Sequence, residues 1–124
     1  MILSISVKRE FIPEFNNNKK LPAADQIKIE HKAATATIKE SLFPRRFQLD
    51  KDGGVTSEFE IDRKKIIQAF VTGIKNLGYE VDGEEKNITT VEQLFKAPIE
   101  FDPLIEELYS YFNEMLNARA NEKN

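Results

Sequence analysis

The chain contains no cysteine and no tryptophan, and its only histidine is His31. Without cysteine it has no disulfide, no thiolate nucleophile and no cysteine-based zinc site, which suits a reducing compartment. A zinc site built on one histidine would need three carboxylates, an unusual ligand set. A catalytic histidine needs a nucleophile or an acid held within reach. His31 instead occupies an alternating strand position, so we expect a structural or surface histidine and no metal site.

Sequence motifs for phosphate binding and for nucleophilic catalysis are also missing. None of the five glycines belongs to a GxGxxG, GxxxxGK[ST] or GxSxG motif. The apolar runs fall far short of the roughly 20 residues that a membrane span needs, and the first ten residues lack the pattern of a signal peptide. We therefore expect a soluble, non-catalytic protein that takes no cofactor and does not interact with membranes.

The 124 residues predict a single domain over 1–120, followed by a frayed tail at 121–124. Net charge is −3, but residues 1–75 carry a charge of +4 and residues 76–124 a charge of −7. This polarity suits an acidic helix surface, or head-to-tail pairing of copies in a homo-oligomer. The basic pairs are spread over separate elements and mixed with acids, so nucleic-acid binding is not expected.

The N-terminal half has the two-residue alternation of strands. Leu3, Ile5 and Val7 predict a first strand over 2–11, and the segment 26–32 predicts its antiparallel partner. The prolines and asparagines of 13–25 predict a loop. A capping box from Thr37 to Glu40 would start a short helix that ends before Pro44.

The stretch QLDKDGGVTSEFEID (48–62) resembles a metal loop at first sight. Counted from Asp50, an EF-hand would need a side-chain oxygen at Gly54, glycine at Val55 and glutamate at Ile61. Because all three positions fail and the flanks alternate, we predict a hairpin that turns at Asp52-Gly53.

The C-terminal half has helical periodicity. Asp62 is the expected N-cap of a helix that continues to Leu77 and stops at Gly78. A hairpin at Asp82-Gly83 follows, and a capping box from Thr89 to Glu92 then starts a short helix. The last helix would begin at an Asp102 cap with Pro103 in its first turn. The predicted fold is α+β: a small antiparallel sheet, made of the N-terminal strands and the hairpin, packed with two main C-terminal helices.

Aromatic residues make up 10% of the chain, and the last helix is apolar or aromatic around most of its circumference. A stripe this broad is typical of a helix with two neighbours, one of which can be another chain, although tyrosines beside a core stripe have the same pattern. We predict partner contacts on this helix and, as a second site, at an outward-facing proline turn. These residues are Tyr109, Tyr111, Phe112, Met115 and Leu116 on the helix, and Arg45 and Arg46 at the turn.

The segments VTGIKNLGYEVDGEEKNITTVEQLFKAP and LIEELYSYFNEML, with the terminal EKN, resemble tail assembly chaperones of long-tailed bacteriophages. The similarity covers residues 60–124 and consists of a helix, an Asp-Gly segment, a Thr-capped turn and an amphipathic helix, in that order. The loop 13–25 and the hairpin turn 50–54 have no counterpart in that family.

The resemblance implies a phage or prophage tail-assembly factor without catalytic activity. Such a protein binds the tape-measure or tail-tube protein transiently in the host cytoplasm. Two alternatives remain: a structural component of the virion tail or neck, and a protein-interaction module of another kind.

Overall fold

The computed structural model describes residues 1–4, 9–42, 47–49, 55–57 and 63–122, with side chains except at 47–49, 55–57 and 118–122. The fold is α+β, as predicted. The strands are β1 (Arg9–Phe11), β2 (Lys28–His31), β3 (Phe47–Leu49), β4 (Val55–Ser57), β5 (Val71–Lys75), β6 (Gly78–Val81) and β7 (Glu84–Asn87). The helices are α1 (Ala36–Leu42), α2 (Arg63–Phe70), α3 (Val91–Phe95) and α4 (Asp102–Glu122), with 3₁₀ turns at Phe15–Lys20 and Ile99–Phe101.

The central sheet is antiparallel, in the order β1-β2-β5. The pairing of β1 with β2 confirms the prediction for these two segments. The alternation of β2 also holds, because Ile27, Ile29 and His31 are buried. Within the predicted strand 2–11, Arg9–Phe11 form β1 and residues 1–4 lie outside it, while residues 5–8 are not among the described residues. Arg9 pairs with His31, the last residue of β2.

The segment 63–77 departs most from prediction. Instead of one helix, α2 ends at Phe70 and the chain continues as β5, which pairs with β2. Gly78 is therefore no helix stop: it begins β6, and a Cβ there would stand 2.8 Å from the Lys86 carbonyl oxygen. The left-handed backbone conformation expected at Gly78 occurs instead at Asn76 (φ 60°). The predicted cap, Asp62, lies outside the described residues.

Two hairpins form sheets of their own. β6 and β7 pair around Asp82 (φ 51°) and Gly83 (φ 82°), so the predicted Asp-Gly turn is confirmed, with positive φ at both central residues. β3 and β4 pair with each other, as predicted for this hairpin. They form a separate sheet, however, instead of joining the described strands of the central sheet. The turn at Asp52-Gly53 lies outside the described residues.

The predicted helix caps are displaced by one or two residues. The Ile38 N–H donates to Thr35 Oγ1 (3.1 Å), so Thr35 and not Thr37 caps α1. The capping box of α3 joins Thr90 to Gln93 instead of Thr89 to Glu92. In both cases a second threonine, two residues before Thr37 and directly after Thr89, offered an alternative N-cap.

The predicted cap of the last helix is also wrong. Asp102 has helical dihedral angles (φ −58°, ψ −39°), because the 3₁₀ turn before it leads directly into α4. A single core then joins the sheet, α2, α3 and α4. Its members are Ile27, Ile29, Ile66, Ile67, Phe70, Ile74, Leu77, Ile88, Val91, Leu94, Phe101, Leu104, Leu108, Phe112 and Leu116.

Candidate partner-binding surface

The predicted contact residues of α4 divide into buried and part-exposed ones. Leu104, Leu108, Phe112 and Leu116 recur every four residues and form the buried stripe of the helix. Phe112 is fully buried, and its ring stacks on Phe70 with 4.9 Å between centroids. Phe112 and Leu116 therefore contact the core of their own chain, and a partner cannot reach them in this fold.

Tyr111 lies on one flank of the buried stripe. Its ring stacks on Phe11 of β1 at 4.0 Å, and its hydroxyl is 3.2 Å from His31 Nε2. His31 Nδ1 lies 2.9 Å from the Lys32 carbonyl oxygen, which can only accept, so in the neutral ring Nδ1 carries the proton and Nε2 accepts from Tyr111. These contacts join α4 to β1 and β2, and they satisfy both ring nitrogens of the buried histidine.

The remaining predicted contacts lie in different surroundings. Tyr109 and Met115 are half-buried and pack against the core from α4. Arg45 and Arg46 lie outside the described residues, so their contact with a partner stays a prediction. Among the predicted residues that the structure describes, Tyr109, Tyr111 and Met115 retain accessible surface.

Polar contacts that the sequence did not reveal dock the loop 13–26 on the core. The Glu107 carboxylate of α4 accepts from the N–H groups of Glu14 (2.6 Å) and Phe15 (3.0 Å). The buried Asn18 side chain donates to the Pro13 and Ile27 carbonyl oxygens and accepts from the Ile27 N–H. The run of three asparagines was the available signal, since asparagine tolerates left-handed turns. Nothing in the periodicity of α4 marked Glu107.

A cleft of about 690 Å³ lies between this loop and the β6–β7 hairpin. Its floor includes Leu77 and Ile88, and its carboxylates are those of Asp25, Glu80 and Glu85. Across the described part of the chain, no three histidine or acidic side chains are grouped so that they could hold a metal ion. The cleft therefore offers acceptor groups beside two apolar side chains.

The large apolar side chains most exposed to solvent lie outside α4. Among them are Ile2 (96% exposed), Leu3 (72%) and Ile99 (79%). None of the described helices is long and apolar enough to cross a membrane. No protein-family model, curated protein or solved structure matches the chain.

Proposed function

We propose that this chain is a non-catalytic tail-assembly factor of a long-tailed phage or prophage. It would bind the tape-measure or tail-tube protein in the host cytoplasm before assembly. The proposal starts from the resemblance of residues 60–124 to tail assembly chaperones. The observation that supports it in the fold is the part-exposed apolar rim of α4, which has two flanks: Ile105 and Tyr109 on one side of the buried stripe, and Tyr111 and Met115 on the other.

The chemistry of this rim suits transient protein contacts. Tyrosine combines a large apolar ring with a polar hydroxyl, and methionine adapts to irregular surfaces, so both are enriched at interfaces. The rim borders the polar face of the helix, where Glu106, Ser110 and Glu114 are exposed. A partner that covers either flank of the rim would therefore meet acidic side chains at its edge, which favours a basic partner segment.

Co-expression with the tape-measure and tail-tube proteins of the same phage or prophage tests the proposal. A tagged chain should retain one of them through size-exclusion chromatography. Tyr109→Ala should weaken that complex by about tenfold or more, in the range of a contact hot spot. The matched control is Ser110→Ala on the neighbouring exposed face, which should leave binding unchanged. Failure to bind either protein would contradict the proposal.

Mass spectrometry of purified particles separates an assembly factor from a virion component. The proposal expects particles that lack this chain although infected or induced cells contain it. A defined copy number in mature particles would instead support a structural component of the tail or neck.

A further inference from the structure

β1 is an outer strand of the central sheet, and its backbone directions follow from its neighbours. The Ile74 N–H donates to the Thr89 carbonyl at 3.2 Å, so it faces away from β2. Ile29, which is opposite Ile74, must then direct its backbone groups to β1 and bond with Phe11. Because these directions alternate along a strand, the N–H and C=O of Glu10 point away from β2, toward the outer side of β1. No described strand pairs on this side of β1, so these groups form an edge that another strand can use.

The residues before β1 carry exposed apolar side chains. Ile2 is 96% and Leu3 is 72% exposed, although the sequence around them has strand-like alternation. Exposed apolar side chains next to an open sheet edge are typical of a site that pairs with another chain.

We propose that residues 1–4 of one copy of this chain pair antiparallel with the β1 edge of a second copy. Leu3 would lie opposite Phe11 of the partner copy, Ser4 opposite Glu10, and Ile2 opposite Ile12. Odd-numbered residues then share one face and even-numbered residues the other, and Ser4 uses the open backbone groups of Glu10. The arrangement is two-fold symmetric, so each copy donates and receives the same contact.

Charge argues against two other symmetric registers. Centring the antiparallel pair on Arg9 or on Glu10 would place each of these residues opposite its own symmetry mate, a destabilising like-charge pair. With Leu3 opposite Phe11, Glu10 meets the uncharged Ser4 and the apolar residues meet each other.

The sequence favours a second copy over the chain's own edge. Folding back on the same β1 would require a tight turn between Ser4 and Arg9. Positions 5–8 read Ile-Ser-Val-Lys and contain no glycine, proline, asparagine or aspartate. Hairpin turns depend on those residues, whereas isoleucine and valine favour extended chain. Pairing with a second copy needs no turn.

Sedimentation velocity over a wide concentration range tests the proposal in the full chain. We expect a reversible dimer, and Leu3→Asp should raise its Kd by about tenfold or more, because the change places a charge in an apolar contact. The control is Ile99→Asp, the same kind of change at a side chain that is 79% exposed elsewhere. A chain that is monomeric at every concentration, or a dimer weakened equally by both substitutions, would overturn the proposal.

Disulfide trapping tests the register, since the natural chain has no cysteine. Ser4→Cys and Glu10→Cys are prepared separately, mixed and oxidised. Hydrogen-bonded antiparallel pairs lie about 5.5 Å apart at Cα, within disulfide range, so a linked heterodimer is expected. Ser4→Cys mixed with Ser110→Cys supplies the background. No heterodimer above this background, or an internally linked monomer from the double variant S4C/E10C, would overturn the proposal.

Discussion

The segment 63–77 and helix α4 carry the same apolar periodicity but fold differently. Both place apolar residues three and four positions apart, the pattern of an amphipathic helix. α4 extends from Asp102 to Glu122, whereas the earlier segment remains helical only from Arg63 to Phe70. From Val71 to Lys75 it is a strand, and this strand completes the central sheet.

Two physical differences explain the divergence. Val71, Thr72 and Ile74 are β-branched and Gly73 is a poor helix former, while the β-branched residue of α4 is Ile105 alone. In addition, β2 presents an edge to which β5 bonds, so backbone pairing becomes available at that point of the chain. Periodicity therefore identifies the apolar face, and propensity together with a neighbouring edge decides between helix and strand.

The largest predicted effect concerns the buried stripe of α4. Phe112→Ala would leave a cavity where the ring stacks on Phe70 and meets His31 edge-on at 5.2 Å. We expect the free energy of unfolding to fall by about 3–5 kcal/mol. Chemical denaturation measures the loss, and Ser110→Ala on the exposed face of α4 is the matched control. A loss below about 1 kcal/mol would mean that this face is not the core contact described above.

Asn76→Ala distinguishes the observed helix and strand of the segment 63–77 from the single continuous helix that its periodicity predicts. Asn76 has φ 60°, and its Nδ2 donates to the carbonyl oxygens of Ala24 (3.0 Å) and Gln26 (2.9 Å). Alanine disfavours this conformation and loses both bonds, so we expect a destabilisation of about 1–3 kcal/mol. In one continuous helix the same substitution would be stabilising. Thermal unfolding distinguishes the two signs.

A matched pair of alanine substitutions compares the segments directly. Thr72 in β5 and Ser110 in α4 are both exposed. Thr72→Ala should destabilise the fold by about 0.5–1 kcal/mol, since alanine is a poor strand former. Ser110→Ala should stabilise it by a few tenths of a kcal/mol (~0.3), since alanine is the best helix former. Denaturant unfolding measures both changes in the free energy of unfolding. If the two changes had the same sign, they would contradict the assignment of one segment to a strand and the other to a helix.

The smallest effect concerns the ion pair of β5. Lys75 Nζ lies 2.7 Å from Glu30 Oε1, and this hydrogen bond and the attraction of the Glu30 charge raise the pKa of Lys75, with a smaller contribution from Glu10. Because the pKa is raised in the folded state, the contribution to stability is present below the unfolded lysine pKa of about 10.4 and disappears as the pH rises through the folded value.

The comparison of wild type with Lys75→Met against pH checks this contribution. The difference between their unfolding midpoints should be small near neutral pH, because the pair is exposed and screened by salt. It should shrink further at alkaline pH. A difference that grows with pH would contradict the direction of the pKa shift.

Turn and alternation signals in the sequence were reliable, although the helix caps, which are equally local, were misplaced. The Asp82-Gly83 turn follows from positive φ at two adjacent positions, and the alternation of β2 follows from one buried face. The β5 pairing and the docking of Glu107 on the backbone of Glu14 and Phe15 join residues far apart in sequence. No periodicity specifies such contacts, because they depend on which edge or backbone group the folded chain presents.

The predicted partner surface also depends on contacts between residues far apart in sequence. A broad apolar arc on α4 was visible in the sequence, but which of its residues are buried in the fold was not. Phe112 packs against Phe70 of α2, while Tyr109 remains part-exposed on the rim. Because the arc is shared among elements that meet only in the folded chain, sequence reasoning could not separate buried contacts from accessible ones.

The most direct test of the helix-to-strand transition is an NMR measurement of residues 71–75. Ile29 and Ile74 form a non-hydrogen-bonded antiparallel pair, whose Cα atoms lie about 4.5 Å apart in a regular sheet. The structure therefore predicts a strong nuclear Overhauser effect between their Hα protons and strand-type Cα chemical shifts from Val71 to Lys75. Helical chemical shifts through these residues, with contacts between Hα of one residue and the amide proton three positions later, would contradict it.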